Sequence, residues 1–304
     1  MHSILITGGS GLVGTALTEL LLQKGYRVSH LGRSPSMGKV KCYRWSAKEK
    51  YLDPRAFDDA DVIVHLAGAG VAEKRWTPER KKEILESRTQ STALINESLK
   101  NIPNKINTVI SATAVGYYGL TTTDNWCDES HGFGEDFLAS VCKAWEAEAD
   151  NIQSLDKRLV KIRVGVVLSI KGGALLQMAQ PVKWFVGAPL GSGKQWVSWI
   201  HMDDLCGVFL KAVEDETMSG VYNGVAPNPV TNSAINKSIA KTLHRPLFLP
   251  PVPEWALKIM LGEMSQIVVT GARVSCDKIK STGFTFKFTD ANEAVKDLLS
   301  AKLL

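Results

Sequence analysis

Near the N-terminus stands Thr7-Gly8-Gly9-Ser10-Gly11-Leu12-Val13-Gly14, a T-G-x-x-G-x-x-G spacing set between a short apolar run and an amphipathic stretch. Gly8 permits a tight turn off a strand, Gly11 lacks the Cβ that would bar an approaching pyrophosphate, and Gly14 lets helix and strand close up. The helix start offers backbone amides and partial positive charge to an anion. Gly8, Gly9, Ser10, Gly11, Leu12, Val13 and Gly14 are therefore candidate contacts to a dinucleotide. The spacing is one residue wider at its start than G-x-G-x-x-G, and it serves the same geometry.

Which dinucleotide is decided at the end of the second strand. An acidic side chain there accepts from the ribose 2′-hydroxyl of NAD, whereas a basic one holds the 2′-phosphate of NADP. This strand ends Leu31-Gly32-Arg33-Ser34, and no acidic residue occurs between Tyr26 and Lys48. Arg33 can take a phosphate bidentately, with the Ser34 hydroxyl assisting. The expected cofactor is NADP(H).

The elements that must position these residues follow from periodicity. Ser3–Thr7 reads as a strand, and Leu12, Val13, Ala16, Leu17, Leu20 and Leu21 recur at helical spacing before Gly25, a helix-ending C′ glycine. Strands follow at Val28–Leu31, Lys41–Trp45 and Val62–Leu66, then a charged helix over 79–100 and a strand at Asn107–Ser111. A helix over 134–150 presents Phe137, Leu138, Val141 and Trp145 on one face, and Leu159–Leu168 is again a strand. The alternation predicts an α/β fold, a Rossmann-type doubly wound parallel sheet with a smaller C-terminal substrate lobe. Residues 1–168 form the NADP-binding domain, to which parts of 195–230 return. Residues 169–304 form the lobe, including a C-terminal module at 245–304 entered through Pro246–Pro253, with Phe284–Phe288 as a strand.

The chain has 304 residues, 44% of them hydrophobic, and a net charge of +5 on a surface of interspersed charges. Clusters such as Arg80-Lys81-Lys82 read as solvated helix faces, so no nucleic-acid partner is expected. Five scattered cysteines without a C-x-x-C pair read as reduced thiols, and the histidines lack paired metal-ligand spacing. The N-terminus runs directly into a strand and no apolar run reaches the length of a membrane span, so the expectation is a cytoplasmic protein without a membrane partner. Leu190-Gly191-Ser192-Gly193-Lys194 imitates a P-loop, but Gln195 stands where a hydroxyl must reach magnesium. Asp203 and Asp204 precede an apolar run and read as a helix N-cap.

The glycine loop, His65-Leu66-Ala67-Gly68 and Ser111-Ala112-Thr113-Ala114-Val115 resemble the short-chain dehydrogenase/reductase superfamily in its extended branch. Arg163-Val164-Gly165, Trp199-Ile200-His201-Met202-Asp203-Asp204, Leu261-Gly262-Glu263-Met264 and Gly283-Phe284-Thr285-Phe286 resemble an atypical subfamily of NAD-dependent epimerase/dehydratase-like proteins, across almost the whole chain. The resemblance implies that Leu66, Ala67 and Gly68 line the adenine and ribose side. It further implies that Glu83 and Arg88 face the cofactor from their helix, and that Arg163 and Val166 lie beside the nicotinamide. In that superfamily a Ser or Thr, a Tyr and a Lys in Y-x-x-x-K do the chemistry. By motif Thr113 and Lys143 take two of those places, with Lys143 also a ribose contact, but four residues before Lys143 stands Ala139, which has no hydroxyl.

Three readings stay open. Tyr117 or Tyr118 replaces the missing acid/base, with Ser140 a poorer substitute. Alternatively, the protein holds NADP(H) without turnover as a sensor or regulatory partner. Third, the helix register differs and Lys143 is a surface residue. A catalytic form would act on a small-molecule alcohol or ketone, nucleotide sugars included. The superfamily also implies a homodimer, formed through helices equivalent to 80–100 and 134–150.

Overall fold

The computed structural model describes residues 2–36 and 40–300. In chain order it begins β1 (Ser3–Thr7), α1 (Leu12–Gln23), β2 (Arg27–Gly32), β3 (Lys41–Ser46), β4 (Tyr51–Leu52), β5 (Val62–His65), α2 (Pro78–Asn101) and β6 (Thr108–Ala114). It continues β7 (Trp126–Cys127), α3 (Phe137–Asp150), β8 (Arg158–Val164), β9 (Val166–Leu168), α4 (Ala174–Lys183), β10 (Trp196–Val197), β11 (Trp199–His201) and α5 (Met202–Glu214). The remainder is β12 (Gly220–Gly224), β13 (Val230–Thr231), α6 (Asn232–Thr242), α7 (Glu254–Leu261), α8 (Gln266–Val269), β14 (Arg273–Val274), α9 (Asp277–Ser281) and α10 (Ala291–Ser300).

Eight strands make one sheet in the order β12-β8-β6-β5-β1-β2-β3-β4, parallel throughout except for the antiparallel edge pair β3–β4. Buried on both faces, the strands distribute alternate residues to two cores. Ile4 and Ile6, Val62 and Val64, and Val160 and Ile162 pack on the α1/α5 side, while Leu5, Ile63 and Leu159 pack on the other with Leu94, Leu99 and Ala149 of α2 and α3. The chain steps from β1 outward through β2 and β3, then crosses to β5 on the other flank of β1. That reversal opens a crevice at the carboxyl ends of β1 and β5, where ligands bind in open α/β sheets.

Local chemistry fixes the helix ends. Thr77 caps α2 with its hydroxyl accepting from Arg80 N, and Asp136 caps α3 by accepting from Leu138 N and Ala139 N, which is why α3 starts at 137 rather than 134. Helix α1 ends as the sequence predicts. Gly25 lies at φ +86°, its amide bonds Leu22 O, and Tyr26 N bonds Leu21 O, a Schellman arrangement.

The predicted strand Leu159–Leu168 is two strands. At Gly165 the chain leaves the large sheet, since Gly165 N bonds Gly224 O whereas Val166 N bonds Ser198 O, and β9 pairs with β11. A Cβ on Gly165 would stand 2.3 Å from Ser198 O, so only glycine lets the two backbones pass. Strand β12 returns to the edge of the large sheet and α5 packs its apolar face there.

The tail divides its apolar side chains between two cores. Val274, Ile279 and Phe286 enter the α1/α5 core, while Ala294, Val295 and Leu298 join α4 and α6 in a second-lobe core. Phe284–Phe288 is not a strand, because its backbone donors go to a carboxylate. Lys287 N and Phe288 N bond Asp204 Oδ1 and Oδ2 at 2.7 and 3.0 Å. Asp203 and Asp204 are not the N-cap of α5 either; His201 holds that position and its Nδ1 accepts from Asp203 N. Asp204→Ala leaves two amides without their acceptor and should lower unfolding free energy by about 2–4 kcal/mol. Denaturant titration measures the loss, and proteolysis after residue 272 should accelerate in the variant.

Candidate functional site

The crevice is floored by the glycine loop. Gly8 sits at φ +69°, and its carbonyl accepts from Gly11 N. A Cβ on Gly14 would lie 2.2 Å from Gly8 O, so the first turn of α1 and the end of β1 touch through hydrogen alone. Gly11 is the N-cap of α1 and supplies no side-chain cap, and Ser10 and Gly11 are exposed while Leu12 and Val13 are half-buried. The opening amides of α1 thus face the crevice mouth ready for an anion. Arg33 and Ser34 stand exposed just beyond β2, whose end aligns with that of β1 through the pair Thr7–Leu31. Both therefore sit at the carboxyl edge of the sheet, on the side of the glycine loop.

The loop Leu66–Gly68 is tied to the glycine loop by a buried relay. Thr7 Oγ1 accepts from Leu66 N (3.1 Å) and Ala67 N (3.2 Å), which fills its lone pairs, so its proton goes to His65 Nδ1 at 2.7 Å. This network assigns the His65 proton to Nε2, which donates toward Thr92 Oγ1 (3.1 Å) and Ser91 Oγ (3.3 Å). Both hydroxyls donate onward to Arg88 O. Burial, with the Arg88 charge adding, pushes the His65 imidazolium down to about 3.

Arg88 itself lies directly under Gly68, where a Cβ would meet its Cζ at 3.3 Å, with its guanidinium 5.1 Å over the Trp145 ring. Nη1 bonds Ile84 O; among the described residues no carboxylate pairs with it, and burial lowers its affinity for its proton. A largely buried cation beside the loop suits an anionic or hydroxyl-rich ligand. Glu83 is exposed and pairs with Arg80, whose guanidinium also bonds Gly70 O, so Glu83 braces the loop after Gly68 from outside the crevice.

The residues expected to do chemistry are arranged differently from the motif. Thr113 is buried and donates its proton to Glu146 Oε1 at 3.1 Å. Arg163 grips the same carboxylate with Nε (2.7 Å) and Nη2 (2.9 Å), and its Nη1 donates to Tyr118 Oη at 3.1 Å. Burial opposes the Arg163 charge, but Glu146 more than offsets this and raises its pKa. Tyr118, 4% exposed, donates to Asn223 Oδ1 at 2.7 Å; burial pushes its hydroxyl up to about 12 against the pull of Arg163. Thr113, Arg163 and Tyr118 thus have their polar groups committed to Glu146, Asn223 and one another. Val166 is half-buried at the start of β9, packed toward the second-lobe core.

Tyr117 is the exception. Its ring stacks on Arg163, Cζ 3.4 Å from the centroid, and its hydroxyl has no hydrogen-bond partner among the described residues.

Helix α3 explains the missing tyrosine. A Cβ on Gly116 would meet Leu138 Cβ at 3.5 Å and Cys142 Sγ at 3.6 Å, so Leu138 and Cys142 face the 115–118 turn. Ala139 is fully buried, and Lys143 is exposed with Nζ 3.6 Å over the Phe133 ring. The Phe133 ring beneath the Lys143 ammonium also packs edge-on against Tyr117, with 6.3 Å between ring centroids. Cys142 is buried beside Arg88, and burial pushes its thiol up to about 12.

Sequence reasoning missed Glu146, Asn223 and Cys142, whose roles come from partners 17 to 105 residues away. It also missed the cover. Met264 and Ile267 of the tail pack with Leu138 and Phe137 around Trp76, Arg75 bonds the last carbonyls of α7 at Ile259 and Met260, and Lys81 pairs with Glu263.

Sheet order, glycine loop and two-lobed cleft define a dinucleotide-binding protein of the extended short-chain dehydrogenase/reductase class. Comparison with known proteins narrows this. The NAD-dependent epimerase/dehydratase family model matches residues 4–134, and a domain of unknown function (DUF1731) matches 252–298. The Bacillus subtilis epimerase family protein YfhF is 36% identical over 98% of this chain and 98% of its own length. The chloroplastic epimerase family protein SDR39U1 homolog of Arabidopsis thaliana is 36% identical over 98% of this chain and 86% of its own. Human epimerase family protein SDR39U1, whose crystal structure contains NADPH, matches with a TM-score of 0.87 and 31% identity over 98% of this chain and 99% of that one. The chain belongs to the NAD-dependent epimerase/dehydratase family, in the branch of these epimerase family proteins.

The His65 relay makes stability pH-dependent. Its folded pKa of about 3 lies below the ordinary 6.5, so its contribution is complete above pH ~6.5 and is lost as pH falls toward ~3. His30 and His201, also lowered by burial, add slope of the same sign. The melting temperature should drop between pH ~7.5 and ~5, and His65→Gln should flatten that drop. An unchanged slope in the variant would refute the assignment.

Proposed function

We propose that this chain is an NADP(H)-dependent oxidoreductase acting in the cytoplasm on a small-molecule alcohol or ketone, a nucleotide sugar among the candidates, with no nucleic-acid partner. The observation that carries the reading is the fit of the crevice to a phosphorylated dinucleotide. Gly8 and Gly14 leave a cradle that a Cβ would fill, α1 opens uncapped toward it, and Arg33 and Arg88 stand without a carboxylate partner among the described residues. The NADPH bound to human SDR39U1 supports the same cofactor.

In this reading the opening amides of α1 hold the diphosphate and Arg33 with Ser34 holds the 2′-phosphate. Leu66, Ala67 and Gly68 with Arg88 line the ribose side. The cofactor supplies hydride chemistry. The chain's part is to orient a substrate oxygen and move a proton, and Tyr117 is the hydroxyl left free for it. Arg163, clamped by Glu146, fixes the Tyr117 ring by stacking beneath it. Met264 and Ile267 pack with Phe137 and Leu138 against Trp76, Ile84 and Val141 beside α3.

A second reading, binding without turnover, draws on the commitment of Thr113 and Tyr118 to Glu146 and Asn223. The reading includes the homodimer through α2 and α3 that the superfamily implies.

The two readings separate experimentally. NADPH should raise the melting temperature of the wild type. Arg33→Ala should weaken NADPH about 10- to 100-fold while leaving NADH nearly unchanged, as loss of a charge-assisted phosphate contact requires. Against a panel of ketones and nucleotide sugars, Tyr117→Phe should lower kcat about 100-fold or more with NADPH affinity intact. Tight NADPH binding with no turnover on any substrate would favour the sensor.

A further inference from the structure

Eight of the eleven exposed large hydrophobic side chains among the described residues lie in three segments of the second lobe, 184–186, 248–249 and 255–260. Trp184 (70% exposed), Phe185 and Val186 follow α4, and Phe248 and Leu249 follow α6. The first two segments run side by side. Arg245 lies 4.5 Å over the Phe185 ring, a Cβ on Gly187 would touch Leu247, and Val252 N and O bond Pro189 O and Gly191 N. Helix α7 continues the surface: Leu257 is buried, while Trp255 and Ile259, four residues apart, point the opposite way.

Two features mark this surface as built rather than incidental. Phe185 (φ +61°) and His244 (φ +52°) are two of the four non-glycine residues with left-handed backbone among the described residues, and both sit in the turns that thrust these side chains outward. Its exposed charges are also one-sided. Lys183, Lys241, Arg245 and Lys258 stand against Glu254 and Glu263, the latter already paired with Lys81. An isologous contact between two copies would bring these cations face to face. A surface of Trp, Phe and aliphatic side chains ringed by Lys and Arg instead complements the boundary of an anionic bilayer, where indoles sit at headgroup depth and cations meet lipid phosphate.

The structure assigns this surface to peripheral docking on an anionic lipid membrane. No helix among the described residues is long and apolar enough to cross a bilayer, and peripheral attachment requires none. The lobe would then rest on the lipid while the glycine loop, on the other lobe, stays in solution.

The test uses the full chain and flotation with two vesicle types, phosphatidylcholine alone and phosphatidylcholine with phosphatidylglycerol. The protein should float with the anionic vesicles at low salt and far less with the neutral ones. Lys183→Glu/Arg245→Glu/Lys258→Glu should weaken anionic binding by about tenfold or more. Trp184→Ser/Trp255→Ser should weaken it as well, and circular dichroism should report an unchanged fold, since every substituted side chain is exposed. Failure to float with either vesicle type, or variants that float as well as the wild type, would overturn the assignment. So would a concentration-dependent dimer in sedimentation velocity that the tryptophan variant abolishes while no vesicles are bound; the surface would then belong to contact between copies.

Discussion

The Glu146 carboxylate, buried between β6, α3 and β8, is the charge around which the site is organised. Left unpaired it would be strongly destabilising at that depth. It is instead held by both Arg163 nitrogens facing it and by the Thr113 hydroxyl, with Lys161 at 3.8 Å. Meeting that demand decides what each neighbour can do. The Thr113 proton goes to Glu146, Arg163 is held by the same carboxylate, and Tyr118 is locked between Arg163 and Asn223. The residue that escapes is Tyr117, held through its ring rather than its hydroxyl.

A second constraint is backbone closeness. Gly14 against Gly8, Gly8 against Leu66, and Gly165 against Ser198 are all approaches at which a Cβ would collide or crowd. The first two bring β1, α1 and the post-β5 loop together at the switch point of the sheet, and the Thr7–His65 relay fastens them. The third lets the chain leave the large sheet and found the second lobe. One kind of contact therefore builds both the cofactor cradle and the lobe opposite it.

The tail joins those lobes. Its first part enters the α1/α5 core, its last helix the second-lobe core, and Asp204 ties the segment between them by two backbone amides. Met264 and Ile267 join Phe137 and Leu138 of α3 against the small core of Trp76, Ile84 and Val141.

The amino-acid sequence by itself determined what is local. Strand β1, helix α1 with its Schellman end, the glycine loop and the exposed Arg33–Ser34 pair all follow from spacing, because each depends on residues within a few positions of one another. It also placed α2 and α3 to within a few residues, the errors being at caps such as Asp136. Only the tertiary structure decided which partners the polar side chains meet. Whether Thr113 is a donor to substrate depends on Glu146, and whether Phe284–Phe288 is a strand depends on Asp204. Whether Lys143 faces the site depends on which side of α3 meets the 115–118 turn. A side chain's type sets which hydrogen bonds it can make. The partners that claim them are fixed by packing between segments far apart in the chain, and no local pattern carries that information.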